Sequence, residues 1–80
     1  MNPQHLAVMA NQIGAFFLSY PDQEEAKAEV ASHIQRFWAP RMRSALLEHI
    51  ALTGGEGLDP LVLSAIQENR ARLLPLATAA

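Results

Sequence analysis

The chain has 80 residues, a hydrophobic share of 50%, a charged share of 18% and no cysteine. That length leaves room for one domain, residues 1–80, and the missing thiols exclude disulfides, iron–sulfur ligation and thiolate zinc sites. Six basic against eight acidic residues give a net charge of −2, without the basic excess of a groove-binding nucleic-acid protein.

Prolines and capping residues cut the chain into about four helical segments. Asn2-Pro3 reads as N-cap and first helical position. Leu6, Met9, Ile13, Phe16, Phe17 and Tyr20 then recur at three- and four-residue steps, which predicts one inward face of a helix. Gly14 weakens that helix unless another helix approaches it closely. Pro21 ends it near Tyr20. Asp22-Gln23-Glu24-Glu25 reads as a capping box in which the Asp22 carboxylate accepts from the Glu25 N–H. Ala26, Val30, Ile34, Phe37 and Trp38 form the apolar stripe of the second helix, which Pro40 closes near Trp38.

A third helix starts at Pro40 and turns Met42, Leu46, Leu47 and Ile50 inward until Thr53-Gly54-Gly55 stops it. Asp59-Pro60 opens the fourth, with Leu58 and Leu63 placed as a hydrophobic staple. Leu63, Ile66, Leu73 and Val62 supply its buried face; Gln67, Glu68 and Arg70 face outward. Pro75 and the Ala-Thr-Ala-Ala end predict fraying after Leu74. No stretch alternates with strand periodicity, so the expected fold is all-α, a small bundle or open array whose first two helices pair across Tyr20-Pro21.

A chain this small buries only about 60% of the surface its unfolded form exposes, and an apolar-rich composition without disulfides calls for a partner polypeptide. No run nears the roughly 18 apolar residues of a membrane span. The opening Met1-Asn2-Pro3-Gln4-His5 lacks the basic region of a secretory signal, which predicts a cytoplasmic protein.

Residues that carry catalysis elsewhere have no supporting pattern here. His5, His33 and His49 fall on three helices without a metal-ligand spacing, and Glu29 with His33 makes only a two-ligand pair. Ser19, Ser32, Ser44 and Ser64 lack a nucleophile elbow. Gly54-Gly55-Glu56-Gly57 precedes a helix but has neither a Walker lysine nor a preceding strand. The expectation is a non-enzymatic chain that binds no metal and no cofactor.

The informative stretch is Arg36-Phe37-Trp38-Ala39-Pro40-Arg41-Met42-Arg43, where three arginines and no acid flank the only tryptophan. Residues 22–29 carry four acids and one lysine, so charge is segregated along the chain. Trp38 is either a core residue with a rim of solvated arginines, or the anchor of a docking surface formed by Arg36, Trp38, Arg41, Met42 and Arg43. Tryptophan and arginine dominate binding hot spots, and an arginine fork pairs bidentately with carboxylates. On the docking alternative Phe37 faces inward and Trp38 faces the partner.

The same residues resemble a known family. His5-Leu6 with Met9-Ala10-Asn11-Gln12-Ile13 and Phe16-Phe17, then Ile34 with Phe37-Trp38-Ala39-Pro40-Arg41-Met42-Arg43, Leu46 and His49, and finally Gly55, Gly57-Leu58, Pro60 and Val62 are similar to the delta subunit of soluble NAD-dependent formate dehydrogenases. The resemblance implies an accessory subunit of a complex that oxidises formate to carbon dioxide and reduces NAD. It also implies that the large catalytic subunit, the expected partner, holds molybdenum or tungsten on pyranopterins, and that iron–sulfur clusters and FMN elsewhere carry electrons to NAD. Asn11 and Gln12 would then bond either partner backbone or helices of their own chain. Two other readings of the residues are a small DNA-binding regulator, with Arg41 and Arg43 opening a recognition helix, and a self-associating helical adaptor.

Overall fold

A computed structural model describes residues 2–74. Five helices follow one another: α1 (Pro3–Phe17), α2 (Gln23–Phe37), α3 (Pro40–Thr53), α4 (Pro60–Glu68) and a single turn, α5 (Arg70–Leu73). The described residues contain no strand, so the chain is all-α. The expected fraying after Leu74 lies outside the described residues.

Pro3, Pro40 and Pro60 each stand in the first turn of a helix, where a missing N–H costs nothing. Asn2 Oδ1 accepts from the Gln4 N–H at 2.8 Å. Asp22 Oδ1 accepts from the Glu24 N–H at 2.9 Å, one residue earlier than the expected box with Glu25; an N-cap oxygen serves either of these positions. Gly54 (φ 78°) ends α3, and its N–H reaches Ile50 O at 2.8 Å. A residue with a Cβ takes that left-handed conformation only under strain.

The fourth helix was expected to run on past residue 70 and does not. Asn69 (φ −116°, ψ 25°) divides it, and both its backbone N–H and its side-chain amide donate to Ala65 O, at 3.1 and 2.9 Å. A short amide that bonds nearby backbone competes in this way with helix continuation.

Helix α2 lies at the centre, packed on α1, α4 and α5, while α3 packs on α1 and α5. The core joins Leu6, Ala10, Val30, Ile34, Leu46, Leu47, Val62, Ile66 and Leu73. On α1 the fully buried stripe is Leu6, Ala7, Ala10 and Gly14, and Met9, Ile13 and Phe17 of the expected face pack half-buried against the core. A Cβ on Gly14 would overlap the Val62 methyl, so α4 approaches α1 where α1 has no side chain. At 3.6 residues per turn, Phe16 stands about 200° from Gly14, and it is 73% exposed. Helix α1 also stops at Phe17 rather than Tyr20, whose N–H closes a turn on Phe17 O at 3.1 Å.

Candidate functional site

The α2–α3 corner follows from how α2 ends. Ala26, Val30 and Ile34 are buried at four-residue spacing, and the next position on that row is residue 38, not 37. Trp38 leaves the helix in an extended conformation (φ −88°, ψ 139°) with its N–H on Ile34 O at 3.0 Å. Its indole is 7% exposed and belongs to the core. Phe37 is 66% exposed. Of the two alternatives for Trp38 the core one therefore holds, and the ring orientations of the docking alternative are reversed: Trp38 braces the corner from inside, and Phe37 faces outward.

Beyond Trp38, Ala39 is the N-cap of α3 and gives no side-chain cap; its carbonyl accepts from the Met42 and Arg43 N–H groups at 2.9 and 3.1 Å. Arg36 and Arg41 are exposed, while Met42 and Arg43 are half-buried. Arg43 Nε is buried without a hydrogen-bond partner. The first turn of α3 carries no acid, so Arg41 and Arg43 stand near the positive end of its dipole, an unfavourable placement worth about 0.3–1 kcal/mol each. Arg36, in the last turn of α2, sits at a favourable end. Among the described residues every ion pair belongs to Lys27, so the three corner arginines have no carboxylate.

The Arg36 guanidinium lies 5.5 Å from the Phe37 ring centroid, within cation–π range. The His33 ring also packs on Phe37, with ring centroids 4.7 Å apart. Phe17, Glu29, Ser32, His33, Arg36 and Phe37 line a slot of about 200 Å³ between α1 and α2. A larger groove of about 470 Å³ runs along Gly14, Ala15, Leu18, Pro60, Leu61 and Val62.

A second cluster surrounds the loop between α3 and α4. Asn11 Nδ2 donates to Gly57 O, and Asn11 Oδ1 accepts from the Asp59 N–H, both at 2.9 Å. The Asp59 side chain makes no cap of its own. His49 is 8% exposed, and its Nε2 donates to Glu56 O at 2.7 Å. Thr53 Oγ1 donates to His49 O and accepts from the Gly55 and Glu56 N–H groups. The open choice for Asn11 thus falls on its own chain; Gln12 is exposed.

The three histidines stand apart in role: His5 is exposed, His33 lines the slot, and His49 holds the loop. No group of three or more His, Asp or Glu side chains able to hold a metal ion stands together among the described residues. Ser19 and Ser44 are exposed; Ser32 and Ser64 are half-buried. Phe37 as an outward ring and Asn11 as a loop clamp escaped the sequence, although counting in fours from Ile34 favours Trp38 as the buried ring.

Fold and site together define a small all-α chain with an uncompensated cationic corner and no metal-donor set among its described residues. Residues 5–66 match the family model of the NADH-dependent formate dehydrogenase delta subunit, FdsD, and the chain belongs to that family. No curated protein and no solved structure matches the chain in comparison. No helix among the described residues is long and apolar enough to cross a membrane.

Proposed function

We propose that this chain is a non-catalytic accessory subunit that works in the cytoplasm, docks on the large catalytic subunit of an NAD-dependent formate dehydrogenase and supports its assembly or stability. The observation that carries this reading is the α2–α3 corner: arginines without a carboxylate, beside a phenylalanine 66% exposed. A partner carboxylate near Arg41 and Arg43 would offset the α3 dipole that these cations oppose. Burying Phe37 would contribute about 1.5–3 kcal/mol. Arg36, Arg41, Met42 and Arg43 form the proposed contact surface, and Trp38 supports it from within. The molybdenum or tungsten pyranopterin, iron–sulfur clusters, FMN and NAD of the complex then belong to other subunits. This chain, without cysteine, supplies the surface and not the redox chemistry.

The test is to express the complex with and without this chain and to measure subunit stoichiometry, metal content and formate-dependent NAD reduction. Loss of assembled or metal-loaded catalytic subunit in its absence is the expected result. A complex assembled, loaded and active to the same extent without it overturns the reading.

A further inference from the structure

We propose that the slot between the C-terminal ends of α1 and α2 receives one apolar side chain from a carboxylate-bearing segment of the catalytic subunit, so that the docking surface runs from the arginine corner onto α1. This rests on the accessory reading above and adds a place and a chemistry to it. The slot's walls are set before any partner arrives. Phe17 meets Phe16 and Tyr20 edge-on at centroid distances of 5.0 and 5.3 Å, and Phe37 contacts both the His33 ring and the Arg36 guanidinium. Side chains already fixed in this way lose little rotamer freedom on binding.

Phe37 lines the slot and is 66% exposed, and Phe16, outside the lining but in ring contact with Phe17, is 73% exposed. Exposed apolar surface of this kind, rimmed by polar groups, marks an interaction site. Glu29 and Arg36 both line the slot and stand two turns apart on one face of α2, about 10 Å along its axis, so the slot carries opposite charges at successive heights. An incoming segment is therefore oriented: its carboxylate meets Arg36, where a bidentate pair forms, and its uncharged or hydrogen-bond-donating end meets Glu29. A second copy of this chain fits less well. A two-fold contact would bring a second set of Arg36, Arg41 and Arg43 alongside the first, with only one Glu29 per copy to answer them.

The experiment titrates the full-length chain into a formate dehydrogenase complex purified without it, at several salt concentrations. Phe37→Ala and Arg36→Glu are expected to weaken binding by at least about 30-fold, within the range of hot-spot losses, and Phe16→Ala by less. Arg36→Glu also flattens the salt dependence. Leu52→Ala, at an exposed residue of α3, leaves binding within about twofold of the wild type. Thermal melts of each variant verify the fold. Wild-type binding that neither Phe37→Ala nor Arg36→Glu changes overturns the slot proposal and leaves the accessory reading standing. No wild-type binding, with a complex fully active alone, overturns the accessory reading itself. Sedimentation of the isolated chain as a dimer that Phe37→Ala dissociates also overturns the proposal, by assigning the slot to a second copy.

Discussion

The α3–α4 loop (54–59) and the shorter α2–α3 corner (38–39) solve opposite problems. Around the loop, Asn11, His49 and Thr53 take up the carbonyls of Gly57 and Glu56 and the N–H groups of Gly55, Glu56 and Asp59. Among the described residues the corner has no such closure: Ala39 offers no side-chain cap, Arg43 Nε is buried without an acceptor, and three arginines lack carboxylates. A polar group left unmade inside a protein costs about 1–3 kcal/mol, so a small chain that closes one connection and leaves the other open is asymmetric in what it needs. The loop is finished by the chain itself. On the proposed docking, the corner is finished by the partner.

The largest effect that separates the two functions lies within the corner, between adjacent rings. Trp38→Ala removes a core side chain and is expected to destabilise the fold by about 3–5 kcal/mol. Phe37→Ala removes a ring that is mostly in water and is expected to change stability by less than about 1 kcal/mol. Urea melts of the two variants check this. Equal losses would show that the corner is a core element and not an open surface. The next effect belongs to the loop. Asn11→Ala breaks two hydrogen bonds and leaves Gly57 O and Asp59 N–H to find water, for an expected loss of about 1–3 kcal/mol. Faster amide exchange across residues 54–59 and unchanged affinity for the catalytic subunit would accompany it. An affinity loss matching that of Phe37→Ala would erase the distinction between a self-completed and a partner-completed connection.

Much of this architecture was legible because backbone rules are local. Pro3, Pro40 and Pro60 mark helix starts, Asn2 and Asp22 cap them, and Gly54 stops α3, each through geometry confined to one turn. The division at Asn69 was missed because asparagine only competes with the helix, and the outcome depends on Leu73 reaching the core. The corner's composition was legible, and the direction of its rings was not. Phe37 and Trp38 are both apolar at helical spacing; the buried row of Ala26, Val30 and Ile34 continues to Trp38, and the extended conformation of that residue carries its ring into the core. Asn11 reaches backbone 46 and 48 residues away, a contact that no spacing rule anticipates. On α1 the small residues Ala7, Ala10 and Gly14 are buried with Leu6 because α4 comes close at Gly14, so Met9, Ile13 and Phe17 pack at the edge of the core and Phe16 is left on the surface.

Lys27 supplies the smallest effect and the sharpest contrast with the corner, as the cation whose counter-charges lie within the chain. Its Nζ lies 2.8 Å from Glu24 Oε2 and 2.8 Å from Glu68 Oε2, which ties α2 to α4. The hydrogen bonds to Glu24 and then Glu68 raise its pKa above the ordinary lysine value. A folded-state pKa above the unfolded one means that the folded chain holds the proton more tightly. The contribution to stability is therefore complete below the unfolded value, about 10.4, and is lost as pH rises through the folded value. The denaturation midpoint is expected to fall more steeply above about pH 10 in the wild type than in Lys27→Met, which lacks this titration. The effect is small because Glu24 and Glu68 are largely in water, and such pairs are screened. Arg36→Lys places a titrating cation at the corner, where no carboxylate holds the proton, and predicts no added alkaline loss in the isolated chain. The same variant bound to the catalytic subunit acquires one if a partner carboxylate meets that side chain, so comparing the free and bound alkaline profiles reads directly whether the corner's missing counter-charge arrives with the partner.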